Sequence, residues 1–364
     1  MHRRLSRRRI DGLLDERIRR MGTAGELVHR LSARALPRQV TERVDEWSSR
    51  FFTRAVLREL GREVSVAVGT DTASLLMFRE LAKRRPDVVR VLDVSHPLDV
   101  VVQRLIREDA ESFGLDLHAY DDFRPGPPAD QRDELNSADG ILVASSFSAS
   151  TLAEAGIQPS RVFVVPYGLR ASDRVSTQLL RAERVGSIRL LSLGAMSERK
   201  GMTVMLRAMQ DLTQAGAEVE LVIAGRPAAG YRLPSRLPGN TRYVGAPDQT
   251  GVARLYAESD VLVLPSMCEG FGRTILEALA AGLSVITTER SGGPDVLTAA
   301  PYAPISIINA SDRARLPALI EQHAARRDEY LRPDDARRAA QEFSAERYMA
   351  RMTEALDAVR DLHG

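Results

Sequence analysis

The spacing of apolar residues changes character near residue 64. Before it, residues 1–60 are charged and helical in pattern. Leu5, Ile10, Leu13, Leu14, Ile18 and Met21 fall roughly on one helix face with arginines between them. After it, short β-type runs alternate with helical stretches. Residues 64–69, 88–94, 140–144 and 162–166 read as strands, and 72–85, 98–113 and 148–155 as helices. Residues 123–130, rich in proline, form a loop, and the mixed polar stretch 168–187 reads as a linker. The alternation then restarts. Strands are expected at 188–193, 220–224, 241–244, 261–264 and 284–287, with helices at 202–215, 249–258, 273–281 and 313–327. A final amphipathic helix is expected over 345–361.

Strand and helix in alternation predict a parallel sheet covered on both faces. Two such halves predict an α/β protein of two Rossmann-like domains facing each other across a cleft, residues 1–168 and 186–342. A chain of 364 residues is also too long for one ordinary core.

Composition narrows the function. Charged residues make up 27% and the net charge is only +2, which gives no case for nucleic acid. Cys268 is the lone cysteine, so a disulfide within the chain is excluded and a reducing, cytoplasmic compartment is expected. No cysteine and histidine cluster is spaced for a metal. No apolar run reaches the ~18 residues of a membrane span, and the arginines near residue 1 lack the apolar core of a signal peptide. Lysine occurs only at Lys83 and Lys200.

The chemistry-bearing residues gather where strands end, the edge at which open α/β sheets bind ligands. The loop from Gly194 to Gly201 carries Arg199 and Lys200, suited to a diphosphate, and lacks the pattern of a P-loop. A second turn contains Gly225 and Arg226, and a third contains Ala246, where backbone groups can read a base edge. The richest stretch runs through Glu269, Gly270, Phe271, Gly272, Thr274 and Glu277. Its glycines admit close backbone approach, and a helix starting near Arg273 offers free N–H groups to an anion. Two carboxylates beside a phosphate-ready helix suit a ligand with both phosphates and sugar hydroxyls, hence a nucleotide sugar. In the first half, His96 follows a strand end and is expected to face the cleft.

From about Gly140 onward these segments resemble the family 4 retaining glycosyltransferases of the GT-B fold. The resemblance centres on two glutamates separated by seven residues, Glu269 and Glu277, within PSMCEGFGRTILEALAAGLSVITT. It implies that Lys200 contacts the donor diphosphate, Glu277 the ribose, and Glu269 with the following amides the sugar. It also implies that no metal or other cofactor is needed, and that the helix at 345–361 crosses back to the first domain. Two features depart from the pattern. Ala195 stands where the family has arginine, with Arg199 or Arg226 as substitutes. The first domain is shortened: its usual first strand is lost, placed upstream or replaced by the basic helix.

The resulting expectation is a bacterial enzyme moving a hexose from a nucleotide diphosphate to an acceptor hydroxyl of a glycan, lipid or natural product, with Glu269, His96 and Lys200 at the reacting centre. Residues 1–21, with Arg4, Arg8 and Arg17, are expected to touch acceptor or the inner membrane face. The competing expectations are an inactive donor-binding homologue that supports a partner subunit, favoured by Ala195, and a sugar-nucleotide epimerase, which the motifs match less well.

Overall fold

The computed structural model describes residues 50–120, 131–169, 187–228 and 230–363. The basic helix expected over 1–21, the loop at 123–130 and nearly all of the expected linker lie outside the described residues.

The first sheet is parallel, with β1 (Val66–Thr70), β2 (Val89–Val94), β3 (Gly140–Val143) and β4 (Val162–Val164) in sequential order. Every residue of β3 is buried, as its unbroken apolar run requires of a strand covered on both faces. Helices α1 (Leu75–Arg84), α2 (Asp99–Phe113), α3 (Gln131–Ser137) and α4 (Ser146–Glu154) accompany it. α1 starts later than its apolar spacing predicts. The backbone N–H groups of Thr72, Ser74 and Leu75 donate to the Glu134 carboxylate on α3, which caps the helix from a distance. The short helix α3 is largely polar and leaves no apolar period in the sequence.

The second sheet has six parallel strands: β5 (Ile188–Leu193), β6 (Val219–Ala224), β7 (Thr241–Tyr243), β8 (Val261–Leu264), β9 (Ser284–Thr288) and β10 (Ile305–Ile308). Their spatial order is β10-β9-β8-β5-β6-β7. The order reverses between β5 and β8, the kind of switch point where α/β sheets open a crevice for ligands. The four described strands of the first sheet, in sequential order, contain no such reversal. Around the second sheet lie α5 (Met202–Gln214), α6 (Gln249–Ala257), α7 (Arg273–Ala281), α8 (Gly293–Ala299), α9 (Leu316–Ala325), α10 (Arg327–Tyr330) and α11 (Pro333–Gln341). The single helix expected over 313–327 is broken: a 3₁₀ stretch, Ala310–Arg315, precedes α9, and α10 follows it. Helix α12 (Ala345–His363) returns to the first sheet, where Ala355 and Val359 pack with Val89, Val91 and Leu142.

The domains meet through an apolar plug and a buried ion pair. Met267 and Cys268, just past β8, are buried within the core of the first domain. Arg313 is fully buried. It pairs with Asp109 on α2, donates to the carbonyls of Ala310 and Pro265 at 3.0 Å each, and lies over the Phe113 ring. Tyr120 donates to the same Asp109 carboxylate at 2.5 Å.

Removing one partner of a buried pair strands a charge, whereas replacing both by apolar groups does not. Arg313→Met should therefore cost about 3–5 kcal/mol, read as a lower urea midpoint, and the double change Arg313→Met with Asp109→Leu should regain part of it. A single variant as stable as the parent would contradict the pair's structural role.

Candidate functional site

The loops after β5 and β8 face each other across the switch point, and each supplies one half of an ion pair. Lys200 Nζ donates to both carboxylate oxygens of Glu269, at 2.5 and 2.7 Å. Arg199 Nη1 stands 3.5 Å from the same carboxylate and donates to the Cys268 carbonyl at 3.2 Å. Ser266 Oγ donates to Glu269 Oε1 at 2.6 Å. Gly201 makes this approach possible: its φ is +73°, and a Cβ there would stand 2.1 Å from the Pro265 carbonyl oxygen.

Glu269 is buried, only 5% exposed. Burial pushes its carboxyl up, but the charges of Lys200 and Arg199 and the hydrogen bonds from Lys200 and Ser266 outweigh that, holding it below the ordinary glutamate value. It is therefore an ionised carboxylate inside the protein. Sequence pattern gave no sign that this group is enclosed on three sides.

The first domain closes the fourth. Ser145 Oγ and Ser148 Oγ donate to the Gly270 carbonyl at 2.5 and 3.1 Å. A Cβ at Gly270 would lie 2.1 Å from the Ser95 carbonyl oxygen and 3.5 Å from His96 Cα, so only glycine lets the two domains touch here. Ser146 donates through its N–H and hydroxyl to Asp295 on α8, both contacts to Oδ1, at 3.0 and 2.5 Å. Ser145, Ser148, Ser266 and Asp295 went unassigned in the sequence, because short polar residues acquire their meaning from partners far along the chain.

His96 thus comes beside the glutamate loop, on the opposing domain. Its side chain is exposed, and its Nδ1 lies 2.8 Å from Ser95 Oγ, which in turn lies 3.4 Å from Asp71 Oδ1. Burial raises the Asp71 carboxyl, with the charge of His96 pulling the other way.

Phe271 turns its ring into the core against Tyr167 and Phe343, at 5.9 and 6.3 Å between centroids, so only its backbone is left for a ligand. Gly272 starts α7 with φ +83° and no side chain caps that end; in the first turn the Ile275 N–H donates to the Gly272 carbonyl at 2.8 Å. Thr274 sits half-buried in that first turn. Glu277, one turn along, accepts from Tyr256 OH at 2.9 Å. Gly225 lies against the Gly194 carbonyl, where a Cβ has no room, and its N–H donates to the Gly245 carbonyl at 2.7 Å. Arg226 and Ala246 are exposed at the ends of β6 and β7, and Ala195 is exposed beside them. The structure therefore gathers Arg199, Lys200 and Glu269 directly. Arg226 adjoins the loop after β5, its carbonyl accepting from the Met196 N–H at 2.9 Å, and Ala246 follows the edge strand β7. The described residues contain no group of three acidic, histidine or cysteine side chains arranged for a metal.

The chain is similar to known proteins over much of this length. A family model described as glycosyl transferases group 1 matches residues 187–320. A lipopolysaccharide 1,2-N-acetylglucosaminetransferase of Salmonella typhimurium is 26% identical over 270 residues, 66% of this chain and 67% of that protein. An amylovoran biosynthesis glycosyltransferase of Erwinia amylovora is 30% identical over 121 residues, and the phosphatidyl-myo-inositol mannosyltransferase of Mycobacterium tuberculosis is 35% identical over 104. These two alignments span only 30% and 28% of the relatives' length. Among solved structures, a sucrose-phosphate synthase from Thermosynechococcus elongatus superposes with TM-score 0.61 at 17% identity, covering 88% of this chain and 79% of that one. A lipopolysaccharide outer core galactosyltransferase gives 0.63 at 15%, covering 88% and 82%. Residues 187–320 thus match a glycosyltransferase family, and the whole described chain takes the GT-B fold.

Proposed function

We propose that the protein is a retaining glycosyltransferase that moves a hexose from a nucleotide diphosphate sugar to a hydroxyl of a glycan or lipid-linked acceptor. The observation that carries this reading is the contact of Lys200 and Arg199 with Glu269 at the sheet's switch point. Two cations and one carboxylate leave a net positive charge there, beside the uncapped start of α7. A diphosphate fits that charge, and the protein's own cations stand where a divalent ion would otherwise be needed. Arg199 or Arg226 supplies the positive charge that Ala195 does not.

Glu269 then reads as a sugar contact. An arriving diphosphate competes for Lys200, and the carboxylate it releases accepts from a sugar hydroxyl. Ser266 keeps that carboxylate in place throughout. Glu277, oriented by Tyr256, accepts from the ribose. His96, with Nδ1 occupied by Ser95, presents Nε2 from the acceptor-side domain. Contacts between Gly270 and Ser145 close the domains over the reacting atoms and exclude water, which would hydrolyse the donor. Names of the relatives support a glycan or lipid acceptor: those proteins act on lipopolysaccharide and on phosphatidyl-myo-inositol. No described helix is long and apolar enough to cross a membrane.

The direct test is release of nucleotide diphosphate from a panel of nucleotide sugars; no release from any of them would count against the reading. Glu269→Gln keeps the shape and removes the charge. It should lower turnover by about 10²-fold or more while the affinity for plain nucleotide diphosphate holds or rises, since Lys200 loses its competing carboxylate. Equal losses for nucleotide and nucleotide sugar would remove Glu269 from the sugar site. Turnover should also survive excess EDTA. A complete loss that Mg²⁺ or Mn²⁺ restores would mean that a metal, and not Lys200 with Arg199, neutralises the diphosphate.

A further inference from the structure

A cavity of about 930 Å³ lies between α5 and the segment that joins β6 to β7. Glu198 lines it, while Lys200 and Glu269 do not, so it is distinct from the site at the switch point. One wall is a single face of α5, with Leu206, Arg207, Gln210 and Gln214 at helical spacing. The facing segment contributes Tyr231, Arg232 and Arg236.

Its charge is one-sided. Arg207, Arg232 and Arg236 oppose one carboxylate, Glu198. That carboxylate is buried and already accepts from Thr203 Oγ1 at 2.5 Å. Arg207 uses Nη1 on the Phe113 carbonyl at 2.7 Å, which leaves other guanidinium N–H groups. Arg232 and Arg236 are exposed and form no ion pair among the described residues. Arginine forks match phosphate oxygens in pairs, and the glutamine amides between them suit hydroxyls. The volume lies in the range of small-molecule sites and is concave, unlike a stripe that tracks a polymer.

We propose that this cavity binds a phosphorylated sugar, with Arg207, Arg232 and Arg236 on the phosphate and Gln210 and Gln214 on the hydroxyls. Glu198 gives the site a route to the reacting centre. Its N–H donates to the Ala119 carbonyl of the first domain at 3.2 Å, and the next two residues hold Glu269. Binding itself is independent of the proposed glycosyl transfer; only the coupling rests on that reading.

Calorimetry of the full chain with glucose 6-phosphate tests it, with free glucose as the neutral control. Saturable binding is expected for the phosphate ester alone. The double change Arg232→Glu with Arg236→Glu should weaken it by about tenfold or more, with melting temperature and nucleotide diphosphate affinity unchanged. Adding nucleotide sugar separates the sites: glucose 6-phosphate recovered intact is an effector held in this cavity, whereas one that gains a hexose sits at the reacting centre and overturns the assignment. The proposal fails if no saturable binding occurs, if the double variant binds equally, or if Lys200→Ala abolishes binding instead. That last result would put the phosphate in the switch-point loop.

Discussion

The buried guanidinium of Arg313 is the contact on which the rest of the molecule turns. Burying a cation costs several kcal/mol unless its donors are met. Here they are met by Asp109, by Ala310 and by Pro265, with the Phe113 ring against its face. Asp109 and Phe113 belong to the first domain, whereas Pro265 is the first residue after β8. One side chain therefore fixes the relative position of the domains and the root of the loop that carries Glu269. Gly201 packs on the same Pro265 carbonyl, which brings Lys200 to the other side of that loop.

The site follows from that framework. Met267 and Cys268 sink into the first domain's core, and Glu269 is carried into the interface with them. A carboxylate so enclosed stays ionised only because Lys200, Arg199 and Ser266 meet it. Its charge, its position and the closure of the domains are thus parts of one arrangement. The same coupling makes the loop a sensitive place for a ligand, since a phosphate that draws off Lys200 alters the balance at Glu269.

The valine-rich strands were legible in the sequence, since two-sided burial leaves an unbroken apolar run, as in β3 and β8. So were the strand-end loops, whose glycines and charges stand together in the chain. What pairs at long range was not legible. Arg313 reads as the first residue of a helix, but its partner Asp109 lies 204 positions away, and the helix begins only at Leu316. Glu269 read as a group open to ligand, because nothing local marks the burial that Ser95, Ser145 and Ser148 impose on its loop. The basic residues at 1–21 lie outside the described residues, so their proposed role in docking an acceptor or an anionic membrane rests on helical spacing and charge alone.

The account stands or falls on whether the Lys200 loop and the Glu277 helix receive a nucleotide diphosphate. The measurement is calorimetry with whichever of UDP, GDP, ADP and TDP raises the melting temperature, since a ligand bound by the native state alone stabilises it. The account predicts that Lys200→Ala and Glu277→Ala each weaken that binding by about tenfold or more, through lost charge-assisted contacts to diphosphate and ribose, in variants that still melt cooperatively. Unchanged affinity in both variants would contradict it.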